Sequence, residues 1–137
     1  MTQVVDILRD ALGHLKVQDA NSAVKPIDAR DGIRALNLMM REWEVDGPNL
    51  GWSDVSDPTD TLPVPPEAEA AIGYNLAVRL RPKYGVAIEA DIIALARDCL
   101  ATLTAQQTVN TYARTEYPDL PAGTGRPGGS WRDGYYR

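Results

Sequence analysis

Cysteine, histidine, positive charge and long apolar runs are all scarce in this chain, and each scarcity removes a class of function. Cys99 is the only cysteine. It has no internal disulfide partner, and its place on an apolar stripe fits a small buried hydrophobe better than a reactive thiol. His14 is the only histidine, with no Cys or acid at ligand spacing around it. A surface place at a helix end is expected for it, and a metal site of known type is not. No run of about 18 apolar residues occurs, so no membrane-spanning helix is expected. The start, Met1-Thr-Gln-Val-Val-Asp6, lacks the basic-then-apolar form of a signal peptide, and synthesis in the cytoplasm is expected. The 14 Lys and Arg stand against 19 Asp and Glu, a net charge of −5. A nucleic-acid binder shows the opposite balance.

Catalytic signatures are missing as well. Ser22, Ser53, Ser56 and Ser130 lie in loop-like stretches with no base signature around them. The glycine-rich run Gly123-Thr-Gly-Arg-Pro-Gly-Gly129 lacks the Lys-Ser/Thr and the following helix of a phosphate cradle, and reads as a spacer. Glu42 and Glu44 stand two apart on one helix and face different ways, so they do not form the paired carboxylates of a glycosidase. No enzyme and no cofactor are expected.

What is present is helical periodicity, and an all-α bundle of about four helices is predicted, near 3–15, 27–46, 66–81 and 88–112. In the first, Val4, Leu8, Ala11, Leu12 and Leu15 share one face, with Thr2 as the cap and Asp6 and Asp10 opposite on a solvated face. Pro26 and Asp28 open the second, and Gly47-Pro48 closes it as a glycine stop. Its stripe is Ala29, Ile33, Leu36, Met40 and Trp43, with Met39 beside it. Pro65-Pro66 pre-sets the third, with Glu67 and Glu69 near its positive end. Ala68, Ile72, Leu76 and Leu80 step along it by four, and Pro82 and Gly85 end it. Arg79, Arg81 and Lys83 gather at its carboxyl end, where the dipole favours cations over a DNA contact. In the fourth, Ile92, Leu95, Cys99 and Leu103 form the apolar face, while Thr104–Thr111 is polar and projects from the bundle.

Two segments break the pattern. Residues 48–66 carry Pro58, Pro63, Pro65 and Pro66 with scattered Leu50, Trp52, Val55, Leu62 and Val64, a long loop with one short extended piece. Loops of that length are either functional or loosely ordered. From Thr115, prolines and glycines dominate, and such a composition buries too little apolar surface to fold alone. The last seven residues nevertheless hold Trp131, Arg132, Tyr135, Tyr136 and Arg137, the residue types that dominate binding hot spots. The expected organisation is a helical domain, 1–114, and a carboxyl-terminal docking arm, 115–137, of about 23 residues that reaches at most about 75 Å when extended.

The segment Ala35-Leu-Asn-Leu-Met-Met-Arg-Glu-Trp-Glu-Val-Asp-Gly47, preceded by Leu8-Arg-Asp-Ala-Leu-Gly13, resembles the head-completion adaptors of short-tailed phages. These packaged-DNA stabilisation proteins attach beneath the portal. The helix Ala70-Ala-Ile-Gly-Tyr-Asn-Leu-Ala-Val-Arg-Leu80, the link Pro82-Lys-Tyr-Gly-Val86 and the final helix continue the likeness, which covers residues 3–105. Each pattern alone is common; their order and spacing together are not. Residues 51–64 depart from it by lacking an aromatic-rich strand signal. The resemblance implies a non-enzymatic connector in the virion neck, a ring of about twelve copies on the portal protein that extends the DNA channel. It also implies retention of packaged DNA that passes without tight binding, contact with a distal tail component, and an arm that reaches into portal crevices. No family motif stands behind Trp131–Arg137, so a portal-binding role there rests on residue type. The compact adaptor of long-tailed phages is a neighbouring reading. A small helical regulator or scaffold with a peptide-ligand tail, or a virion-associated cell-wall hydrolase, is the alternative.

Overall fold

A computed structural model describes residues 1–19 and 21–114, with the backbone alone for 109–114. The chain divides into two units, Met1–Gln107 and Thr108–Arg137, and the first contains three whole helices and most of a fourth. These are α1 (Val4–His14), α2 (Pro26–Asp46), α3 (Glu69–Tyr84, entered through a 3-10 turn at Pro66–Ala68) and α4 (Ala90–Arg114). The fold is all-α; the described residues contain no strand beyond one bridging pair, Gln3 with Thr61.

The predicted stripes of the first three helices lie in the core. Val4, Leu8, Ala11, Leu12 and Leu15 of the α1 region are buried, as are Ala29, Ile33, Leu36, Met39, Met40 and Trp43 of α2 and Ala68, Ile72, Leu76 and Leu80 along α3. They meet because α1 lies against α3 and α2, and α2 also packs on α3. Gly32 sets the closeness of one contact. A Cβ there would sit 2.6 Å from Leu8 Cδ2, so any larger residue would make the end of that leucine shift.

Helix ends differ from expectation where tertiary partners intervene. Gln3, not Thr2, is the N-cap of α1, and its N–H donates to Asp6 Oδ2 at 3.2 Å. Asp6 is thus part of the cap rather than of a bare solvated face. At the other end Lys16 takes the left-handed conformation, φ 56°, and the N–H groups of Lys16 and Val17 return to the carbonyls of Gly13 and Leu12 at 3.0 and 3.2 Å. This is the Schellman arrangement, made here without glycine. The Lys16 side chain also forms an exposed ion pair with Glu89. Gly47 is no left-handed stop: it is extended, and its N–H donates to the Trp43 carbonyl at 2.8 Å. Residues before proline favour that extended region.

α3 runs past the expected end at 81 to Tyr84, with Pro82 inside it. Proline removes one helical donor, but the final turn is tied to α2 by Tyr84 Oη, which donates to Asp28 at 2.8 Å, and by a Lys83–Asp31 ion pair. Gly85, φ 63°, then ends the helix. On α4 the inward face is rotated from the predicted one. Ala96 and Leu103 are buried, Ile92 and Cys99 are half-buried, and Leu95 is 41% exposed. A small residue at 96 allows close approach, and the Asn75 amide of α3 donates to the Ala96 carbonyl at 3.0 Å. Gln107 does not project: it is half-buried and donates to the Asn49 carbonyl.

The proline-broken connection between α2 and α3 is ordered on the core. Pro48, Trp52, Val55 and Leu62 are buried. Asn37 of α2 grips it with both ends of its amide: Nδ2 donates to the Val55 carbonyl at 2.9 Å, and Oδ1 accepts from the Val55 N–H at 3.1 Å and from Trp52 Nε1 at 3.3 Å. The far end of the loop reaches α1, where the N–H groups of Val4 and Val5 donate to the carbonyls of Asp60 and Pro58 at 2.9 and 2.8 Å. Two of the helix's orphan donors are satisfied in this way.

Leu36→Ala or Ile72→Ala should cost about 2–5 kcal/mol, as buried aliphatic truncations do. Asn37→Ala should cost about 1–3 kcal/mol through the unpaired loop groups it leaves. Urea unfolding measures all three, and a cost near zero at Leu36 or Ile72 would contradict their place in the core.

Candidate interaction surface

The polar side chains weighed in the sequence as an active centre are scattered over the fold, and Ser130 lies outside the described residues. His14 ends α1, half-buried rather than on the open surface, with its ring stacked on Tyr74 at 4.7 Å between centroids. Ser22 closes a turn by donating to the Asp19 carbonyl at 3.0 Å, while Ser53 and Ser56 are exposed loop residues. Glu42 pairs with Arg79 at 2.6 Å, across from the direction that Glu44 takes. Among the described residues, no group of three or more His, Cys, Asp or Glu is placed to hold a metal ion. No described helix is long and apolar enough to cross a membrane. Cys99 packs half-buried against the core rather than within it.

The basic cluster at the end of α3 is largely spent inside the fold. Arg79 is held by Glu42 and Lys83 by Asp31, so α2 supplies an acid to each; Arg81 is exposed. Burial, with Asp28 as acceptor, pushes the Tyr84 hydroxyl pKa well above its ordinary value.

Among the described residues, the outer face of α2 carries apolar side chains that no internal contact uses. Ile27, Leu38 and Val45 are 67%, 53% and 84% exposed. Steps of eleven and seven residues are close to three and two helical turns, so the three side chains fall on one line, opposite the buried stripe. Arg34 stands on the same line, exposed and without an ion-pair partner among the described residues. Ion pairs border this line on both sides. Arg41 pairs with Asp54 of the loop, which holds the Asp54 carboxyl below its usual pKa. On the other flank lie Asp31–Lys83 and Glu42–Arg79. An apolar strip inside a polar rim has the anatomy of a protein interface.

None of these outward aliphatics stood out in the sequence, although apolar residues at 27, 38 and 45 on an otherwise polar face were the available signal. The residues singled out in sequence as an anchor, Trp131, Arg132, Tyr135, Tyr136 and Arg137, lie outside the described residues, as does the segment 115–137 that carries them.

A comparison with protein families finds one whose profile, described as P22 tail accessory factor, matches residues 2–135. The match takes in all four helices, the clamped loop and most of the carboxyl-terminal segment. It gives the chain a place among phage tail or neck structural proteins, working with other virion components. On that span of agreement, the chain belongs to the P22 tail accessory factor family.

Proposed function

We propose that this protein is a non-enzymatic head-to-tail connector, assembled as a ring of about twelve copies beneath the portal, where it lengthens the DNA channel and carries a distal tail component. The observation that carries the proposal is the extent of the family match. It runs to residue 135 and so includes Trp131, Arg132 and Tyr135 together with the helical body. A body with a spare interface and a terminal aromatic-arginine anchor suits a part that holds two larger assemblies together.

In this reading Trp131, Arg132, Tyr135, Tyr136 and Arg137 dock on the portal. Each aromatic ring can bury about 150–250 Å², which is about 4–6 kcal/mol gross. Ordering a segment takes back about 2–5 kcal/mol, and lost translational and rotational freedom takes back at least about 4 more. One such anchor binds modestly; many on one ring, each raising the local concentration of the next, hold firmly. The arginines add forked hydrogen bonds to acidic groups.

The charge balance serves a conduit. Each phosphate that a protein neutralises adds salt-dependent affinity, and drag on passing DNA grows with it. With 14 basic side chains against 19 acids, and with Arg79 and Lys83 already paired to α2, the net charge disfavours a grip on the duplex and two of the three cations at the end of α3 are engaged.

Deleting residues 130–137 should leave helicity and thermal stability nearly unchanged while portal decoration collapses. Wild-type occupancy of portals by the truncated protein, seen by electron microscopy, would remove the anchor from this reading. The free protein should sediment as a monomer or weak associate, because a net charge of −5 repels copies until the portal holds them close. A stable ring in sedimentation velocity would overturn that template dependence. Duplex DNA should bind weakly at physiological salt; tight binding with a steep salt slope would contradict the conduit.

A further inference from the structure

We propose that the outer face of α2 on one copy docks against the outer face of α4 on the next. The inference rests on the ring reading and gives it a specific contact. The two faces complement each other in both shape and charge. Along α2 the exposed order is Arg34, Leu38, Arg41, Val45; along α4 it is Asp91, Ala94, Asp98, Ala101, all exposed. The first presents cations between bulky aliphatics, the second presents acids between methyl groups. Leu38 and Val45 are seven residues apart, as are Ala94 and Ala101, about 10.5 Å along either axis at ~1.5 Å per residue.

Laid side by side and parallel, Leu38 covers Ala94, Val45 covers Ala101 and Arg34 meets Asp91, while Arg41, already paired with Asp54 of its own chain, borders Asp98. The antiparallel alignment keeps the aliphatics on the alanines but takes Arg34 away from Asp91. Arg34, Asp91 and Asp98 have no ion-pair partner among the described residues, so the contact satisfies charges that a single copy leaves free. A second copy laid α2 to α2 in parallel register would bring Arg34 against Arg34, which like charge opposes. Joining two different faces makes the contact heterologous, and such contacts repeat from copy to copy. The repetition is what a ring needs. A strip of three aliphatics is also small for a stable interface, in keeping with neighbours that join firmly only when a portal aligns them.

The test uses full-length protein with Cys99→Ala to remove the native thiol, with and without portal, under a mild oxidant. Leu38→Cys combined with Ala94→Cys should give a ladder of disulfide-linked multimers on a non-reducing gel, and either cysteine alone should give none. Arg34→Glu added to that pair should lower the linked fraction about fivefold or more, and Asp91→Arg in the same chain should restore it to within about twofold. Circular dichroism on each variant establishes that the helices persist. Dimers from Leu38→Cys alone would place α2 against α2 and overturn the assignment. A double-cysteine protein that stays monomeric, while wild-type protein forms multimers under an amine-reactive reagent, would overturn this contact and leave the ring standing. Wild-type protein that yields no multimer with any reagent, on or off the portal, would remove the ring and the contact together.

Discussion

The side-chain amide of Asn37 attaches the long connection between α2 and α3 to the helices, and much of the remaining structure depends on that attachment. The connection carries too many prolines to make its own regular hydrogen bonds. Asn37 supplies both a donor and an acceptor to Val55 and accepts from Trp52, so the segment is fixed at its middle. Once fixed, it delivers Trp52, Val55 and Leu62 to the core and brings the carbonyls of Pro58 and Asp60 to the first turn of α1. A single amide on α2 therefore bears on the amino terminus of a different helix. The loop is thereby a structural wall rather than a lid.

Charge follows the same economy of position. α2 spends its acids inward along one flank, on Arg79 and Lys83 of α3, and its Arg41 along the other, on Asp54 of the loop. These pairs are exposed, and surface pairs of this kind contribute little to stability. Their larger effect is on what stays free. They neutralise the basic end of α3 and leave the line through Ile27, Arg34, Leu38 and Val45 as the uncommitted surface of the helix. Surface aliphatics scattered singly need no explanation; three in register, bordered by paired charges, do.

The proposed connector role asks for rigidity where the protein would frame a channel and adaptability where it would meet its partners. The clamped loop and the three-helix core provide the rigid part. The match to the P22 tail accessory factor family extends over both this body and most of the carboxyl-terminal segment. The acidic composition suits that proposal, because a protein beside passing DNA would work best without holding it.

Helix number, helix placement and the core stripes were legible in the sequence, because period and punctuation are local. Leu36, Met40 and Trp43 fall on one side of any helix drawn through them, and Pro26 and Pro66 start helices whatever surrounds them. The order and spacing of those helical patterns also resembled a phage family, and the coarser part of that resemblance is shown by the match to the P22 tail accessory factor family. Tertiary structure decided the rest, in each case through a partner distant in the chain. Pro82 lies within α3 because Asp28 and Asp31 hold its last turn. Ala96 faces inward in place of Leu95 because Asn75 draws the α4 backbone close. The loop is ordered because Asn37 reaches it. Periodicity reports which residues share a face, but only packing decides which face is covered, and so the exposed line along α2 came into view with the fold.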